Sequence, residues 1–250
     1  MEIGVYCTSI RPNRWGKLYQ TLSRNNVHFN LCIAGPCPPL TELGPLPPNM
    51  KYVYTNVKPP QCCLVAANNT EGDYIMLATD DHWYSDGCLD DLLNIVTSGK
   101  KIMATPTYQR ESQYRLVTDF GWQREDKIDQ YVMLDFPAPV CHMMRREDFN
   151  DIGIDRNFKG VYWDQDMGFE MVARGGQCIR SENSFTIDEQ NAELSHLAML
   201  SLSIGDYAYM VKMWTDNNTF RSQRRNPTDP LIYNDTVLTI SQGPKLDCWD

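Results

Sequence analysis

Residues 72–78 read GDYIMLA, with no charged residue from Tyr74 to Ala78. A strand that is apolar at every position is buried on both faces, which is the signature of a parallel sheet covered by helices. Its surroundings agree. IGVYC at 3–7, HFNLCIAG at 28–35, KYVYT at 51–55 and KIMATP at 101–106 are further β-rich runs. The stretches between them read as helices: 15–25, with Leu18 and Leu22 at helical spacing, 61–70, and 86–98, with Asp86 as its cap and Gly99 as its stop. Strands alternating with helices predict βαβ units, and so an α/β domain with a mostly parallel central sheet flanked by helices. Beyond residue 106 the pattern changes. Tyr-, Val-, Thr- and Gln-rich pieces over 107–144 read as antiparallel strands, 145–153 as a helical turn, and 163–176 as a helix. In that helix Trp163, Met167, Met171 and Ala173 share a face, and Gly175-Gly176 end it. A further helix from 195 to about Trp214 and a polar tail complete a C-terminal appendage over 201–250.

Composition narrows the function classes. The 250 residues are 42% hydrophobic, with 11% aromatic residues, enough for a sizeable core and too rich for a disordered chain. No apolar run approaches the roughly 20 residues that span a bilayer. The opening residues carry Glu2 and lead straight into a strand, so no signal peptide is visible and a cytoplasmic location is expected. Nine cysteines, an odd number with no C-x-x-C pair, fit reduced thiols better than a disulfide framework or a zinc ribbon. The formal charge of −9 repels nucleic acid unless basic residues are focused. Two dense basic groups exist, Arg145-Arg146 and Arg221 to Arg225, and each is either a solvated face or a contact for an anionic acceptor.

In open parallel sheets, ligands bind beyond the carboxyl ends of the strands. Thr8 to Arg11 follow the first strand and Asp80-Asp81-His82 follow the fourth. Two adjacent carboxylates leaving a buried strand raise each other's pKa unless positive charge sits between them. A hard divalent cation with a bound phosphate supplies that charge; the alternative is that Asp80 caps the next segment and Asp81 is exposed. Asp164 and Asp166 open the 163–176 helix beside Tyr162 and Trp163, where the helix dipole alone favours acids. A spacing of two sends them to different faces, so at most one points into a given site.

The succession G-D-Y-I-M-L-A-T-D-D-H, R-R-E-D-F-x-x-I-G and W-D-Q-D-M-G-F-E-M-V-A-R-G-G resembles glycosyltransferases of family 2, with the GT-A fold. The resemblance runs from residue 3 to about 180. It implies a catalytic domain over 1–200, with 1–105 binding the nucleotide sugar and 106–200 the acceptor. It also implies a nucleotide contact at Thr8 and Arg11, and Asp80 directed toward the ribose or sugar. Asp81 then carries a divalent cation, Mn²⁺ or Mg²⁺, Asp164 is the general base and Asp166 the second acid of that motif. His196 matches a histidine touching the metal or pyrophosphate, with His82 as a competing ligand. The implied donor is a nucleoside diphosphate sugar, UDP-linked, and the implied acceptor a hydroxyl of a glycan or polysaccharide. The chain departs from the family where Cys32-Ile33-Ala34-Gly35-Pro36 replaces the acid that reads the nucleobase. Cys62-Cys63-Leu64 stands in place of A-R-N, and Gly153-Ile154-Asp155 in place of G-G-F-D. The expected reaction is metal-dependent sugar transfer with inversion. A non-catalytic nucleotide-sugar or glycan-binding module and a sugar nucleotidyltransferase are the alternatives.

Overall fold

A computed structural model describes residues 1–41, 44–110, 115–117, 141–188, 205, 206, 208–210 and 213. Strands β1 (Glu2–Thr8), β2 (His28–Gly35), β3 (Met50–Tyr54) and β4 (Tyr74–Thr79) lie in the order β3-β2-β1-β4, all parallel. Helices α1 (Trp15–Leu22), after a 3-10 turn at Pro12–Arg14, and α2 (Pro59–Asn68) make the crossovers. The sheet continues through β8 (Met143–Arg145), β6 (Ile102–Arg110), β9 (Gln177–Asp188) and β5 (His82–Tyr84), with β7 (Arg115–Val117) beside β6. In this second half β6 and β9 are parallel and the other pairings antiparallel. The expected antiparallel pieces within 107–144 are met at the end of β6, at β7 and at β8; residues 111–114 and 118–140 lie outside the described residues.

The double burial expected of 72–78 is observed. Tyr74, Met76 and Ala78 of β4 face one core layer, together with Ile3, Val5 and Cys7, Trp15, Leu18 and Leu22 of α1, and Leu89, Leu92 and Val96 of α3 (Cys88–Thr97). Ile75 and Leu77 face the other, with Tyr6, with Cys62, Cys63 and Val65 of α2, with Phe149 and Ile152 of α4 (Arg146–Ile152), and with Trp163, Met167 and Met171 of α5 (Trp163–Ala173). Removing side chains of this kind from water stabilises by about 1.5–3 kcal/mol each, so the two layers fix the sheet between the helices.

Some expectations need correction. Asp86 does not cap α3. The cap position is Gly87 at φ 73°, a left-handed backbone that glycine adopts without steric cost, and Asp86 instead faces Arg24 at 3.5 Å on the surface. Ala173 is exposed, outside the buried stripe of α5. The glycine stop after α5 is observed: Gly175 at φ 77° donates to Val172 O at 2.9 Å, and Gly176 to Met171 O at 2.9 Å. Arg145-Arg146 is not a free anion-binding patch. Arg146 donates to the carbonyls of Ala67 (2.9 Å), Thr70 (3.1 Å) and Gly72 (3.2 Å) around the end of α2, and Arg145 reaches Gly99 O at 3.4 Å. Arg221 to Arg225 lie outside the described residues. Among the described residues, no helix is long and apolar enough to cross a membrane, and no cysteine forms a disulfide. Residues 205, 206, 208–210 and 213 are helical, as the C-terminal appendage requires.

Candidate active site

Thr8 and Thr79 are register partners at the ends of β1 and β4, so both chains leave the sheet at one edge. Ser9, buried there, is the hub. Its hydroxyl donates to Asp80 Oδ2 at 2.6 Å and accepts from Trp15 Nε1 at 2.7 Å and from the Arg11 N–H at 3.0 Å. Arg11 then turns back over both acids. Its Nε reaches Asp80 Oδ2 at 3.1 Å, and its Nη2 bonds Asp80 Oδ1 and reaches Asp81 Oδ2 at 3.0 Å. A forked, charge-assisted contact of this kind compensates two carboxylates with one guanidinium. Asp80 is therefore an acceptor inside a network, and Asp81 is paired as well.

Asp81 has a second partner, His82 Nδ1 at 2.8 Å from Oδ1; the same ring nitrogen contacts Thr79 Oγ1. β5 folds back antiparallel on β9, which puts Asp188 directly opposite His82. Tyr108 OH donates to Asp188 Oδ2, and the Tyr108 and His82 rings lie 5.6 Å apart. One ligand atom from each of Asp81, His82 and Asp188 lies within 4.8 Å of the others. His82 Nε2 is buried without a hydrogen-bond partner. In the tautomer that gives Nδ1–H to Asp81, Nε2 would have its lone pair available to a cation, the usual arrangement of a ligating histidine. Burial pushes the Asp81 carboxyl up, but His82 and Arg11 outweigh it and hold Asp81 well below the ordinary carboxylate range.

Asp164 stands in the first turn of α5, after Tyr162 at φ 66°. Removal from water pushes its carboxyl up to about 6, opposed by the backbone N–H groups of Gln165 and Asp164 itself. Tyr6 and Cys7, consecutive on β1, point to opposite faces. Burial raises both, and beyond burial the charge of Asp164 acts on Tyr6 while those of Asp80 and Asp81 act on Cys7. Asp164 thus acts on the face of β1 that carries Tyr6, and Asp80 and Asp81 on the face that carries Cys7. Asp166, by contrast, is fully buried and acts on Tyr209.

Of the residues expected from sequence, Thr8, Arg11, Asp80 and Asp81 come together at one edge, and Asp164 and Asp166 part to different sides of α5. His196 lies outside the described residues. Asp188 was missed: nothing local marks the last residue of a strand as a ligand, and only its pairing with β5 brings it to His82. At the end of β2, where the family acid is absent, Gly35 packs so closely on Ser9 that an added Cβ would stand 2.0 Å from Ser9 O.

No family model matches the chain, and no curated protein matches it. Solved structures do. The structure of S. aureus TarS 1-349 aligns with a TM-score of 0.58 at 11% identity, over 90% of this chain and 77% of that one. The same protein in complex with UDP-GlcNAc aligns with a TM-score of 0.58 at 11% identity, over 97% and 81%. Its complex with UDP gives a TM-score of 0.57 at 12% identity, over 90% and 76%. At this identity the likeness establishes a shared fold, the mixed α/β, GT-A-like architecture.

Proposed function

We propose that the chain transfers a sugar from a UDP-linked nucleoside diphosphate sugar to an acceptor hydroxyl of a glycan or polysaccharide, with inversion. The observation that carries this reading is the contrast between Asp81, which leaves β4 paired with Arg11 and His82, and Asp164 in the first turn of α5. Asp81 is held well below the ordinary carboxylate range, whereas burial pushes Asp164 up to about 6. Transfer to a hydroxyl needs both, one to manage the charge of the leaving diphosphate and one to take the acceptor proton. The fold shared with a protein solved with UDP and UDP-GlcNAc supports the donor class.

In this reading Thr8 and Arg11 contact the nucleotide, and Asp80 faces the ribose or sugar. Asp81, His82 and Asp188 hold the divalent cation; two carboxylates with one imidazole suit Mn²⁺ better than Mg²⁺, which favours oxygen ligands. When bound, the cation neutralises charge developing on the diphosphate. Asp164 removes the acceptor proton as the hydroxyl attacks opposite the leaving group. A carboxyl at about 6 is the better base for it, because general-base efficiency improves as the pKa nears the working pH. Asp166 is buried behind it and supports α5. The nucleotide-sugar part is 1–105, the acceptor part 106–200, and 201–250 the appendage.

The test is a panel of nucleoside diphosphate sugars with Mn²⁺, Mg²⁺ or EDTA, scored by thermal shift and by free nucleotide. A ligand at 100 times its Kd stabilises by about 2.7 kcal/mol. Metal-dependent stabilisation by one donor, with slow nucleotide release, is expected. Stabilisation without release, even with glycan acceptors, would identify a binding module instead. Pyrophosphate release from a nucleoside triphosphate and a sugar phosphate would identify a nucleotidyltransferase. No response to any donor would end the assignment of Asp81.

A further inference from the structure

The loop from Gly153 to Tyr162 joins α4 to α5 and carries no regular structure, yet it determines where α5 begins. At the helix start Tyr162, in the cap position, makes no side-chain capping bond, and its backbone is left-handed. The loop is held from elsewhere in the chain. Asp206, 2% exposed, accepts the backbone N–H groups of Lys159 (3.0 Å), Gly160 (2.7 Å) and Val161 (3.0 Å), three consecutive donors on one carboxylate. Tyr209 donates to Asp155 Oδ2 at 2.7 Å, and Asp155, fully buried, also accepts from the Asn157 N–H and Nδ2 at 2.9 Å each. Asn157 Nδ2 closes the ring of bonds on Tyr209 OH at 3.0 Å, and the Tyr209 ring meets Phe158 edge-on at 5.1 Å. Met210 completes the attachment inside the same core layer as Trp163 and Met167.

We propose that Asp206 and Tyr209 are positioning residues for Asp164: the helical residues of the C-terminal appendage clamp the 155–161 loop and thereby set the first turn of α5. The inference rests on the reading of Asp164 as general base. A base must be held within about 0.5 Å of its productive position by groups that are themselves locked. Val161, whose N–H is bonded to Asp206, lies three residues before Asp164, and the bridging segment carries its own strain at Tyr162. Loosening three N–H bonds therefore displaces Asp164 while leaving β1 and β4, and the donor contacts they carry, in place.

The test uses the full chain with Asp206→Asn and, as the milder change, Tyr209→Phe. All three N–H groups reach Oδ2, so Asp206→Asn with its carbonyl there removes the charge from the three bonds and sets an NH₂ group against the Lys159 N–H that Oδ1 also accepts, which weakens the clamp. A misplacement of about 1 Å costs up to about 10²-fold in rate. The expected result is a kcat for nucleotide release about 10–100-fold lower, with the donor KM within about twofold. Amide hydrogen exchange should speed up at 159–161 and at the Asp166 amide, which is bonded to Tyr162 O at 3.0 Å, but not in β1 or β4. Tyr209→Phe should move both readouts the same way by less. Faster exchange confined to 159–161, with Asp166 still protected and kcat unchanged, would overturn the proposal. So would a parallel loss of kcat and KM with exchange rising across the sheet, which marks general destabilisation. If Asp206→Asn does not fold, Tyr209→Phe with unchanged kcat and exchange overturns it by itself. A wild-type chain that releases no nucleotide from any donor removes the general-base reading instead, and exchange at Asp166 then decides whether the clamp stands.

Discussion

Asp81, just past β4, and Asp164, in the first turn of α5, are the same residue type in opposite environments. Asp81 is reached by Arg11 at 3.0 Å and His82 at 2.8 Å, so burial is more than offset and its charged form is favoured. Asp164 has removal from water as its leading influence, and only backbone N–H groups oppose it, so its proton is held to about pH 6. Burial alone does not decide what a carboxylate does; the guanidinium and the hydrogen-bond donors within reach do. One group is suited to stay ionised beside a metal and a diphosphate, the other to exchange a proton near neutrality.

Five experiments test this contrast. The largest effect is expected of Asp164→Asn, which should lower turnover about 10²–10⁴-fold with donor binding nearly unchanged. In the wild type, turnover should rise with pH through about 6 as Asp164 loses its proton; a flat pH–rate profile across that range would remove the distinction between the groups. Asp81→Asn should instead abolish the Mn²⁺-dependent part of donor stabilisation, about 2.7 kcal/mol at 100 times Kd, as read by thermal shift.

The two groups should also differ in the sign of their pH-dependent stability. The native state keeps the Asp164 proton to higher pH than the unfolded chain, so stability falls as pH rises from the ordinary carboxylate range to about 6. Asp164→Asn should therefore be more stable than wild type at pH 7, by up to about 3 kcal/mol, and equal to it near pH 3. Denaturant titrations at the two pH values measure this. For Asp81 the sign reverses. Its stabilisation is present above the ordinary carboxylate range and is lost as pH falls through and below it. Thermal melts of Asp81→Asn should show a shallower loss of stability between pH 5 and pH 3 than wild type, the smallest of the five effects.

Legibility in the sequence followed the same division. The parallel half was readable element by element, because β1 to β4 follow one another and each strand's burial is written in its own residues. The doubly apolar run Tyr74 to Ala78 announced both core layers, and the edge where Asp80 and Asp81 emerge followed from strand order. The second half was harder. β8 is three residues long and β5 another three, too short for a periodicity, and they acquire meaning only through the strands they pair with. The spacing of Asp164 and Asp166 did imply that they part, since two residues along a helix is about 200° of rotation. It could not say that Asp164 would act on Tyr6 and Cys63 while Asp166 lies fully buried toward Tyr209.

By itself, the sequence determined the α/β class, the parallel half-sheet, the strand ends that carry Thr8, Arg11, Asp80 and Asp81, and the helix that carries Asp164. These rest on local rules: side-chain period, turn residues, and the cost of leaving apolar surface in water. Tertiary structure decided that Arg11 bridges two acids some 70 positions away, that Asp188 meets His82, that Arg146 serves the end of α2 rather than an anion, and that Asp206 reaches back 45 to 47 positions to hold the loop before α5. Each of these is a contact between segments whose order along the chain says nothing of their distance in space. Each also depends on charge compensation or backbone satisfaction, which only the assembled fold supplies.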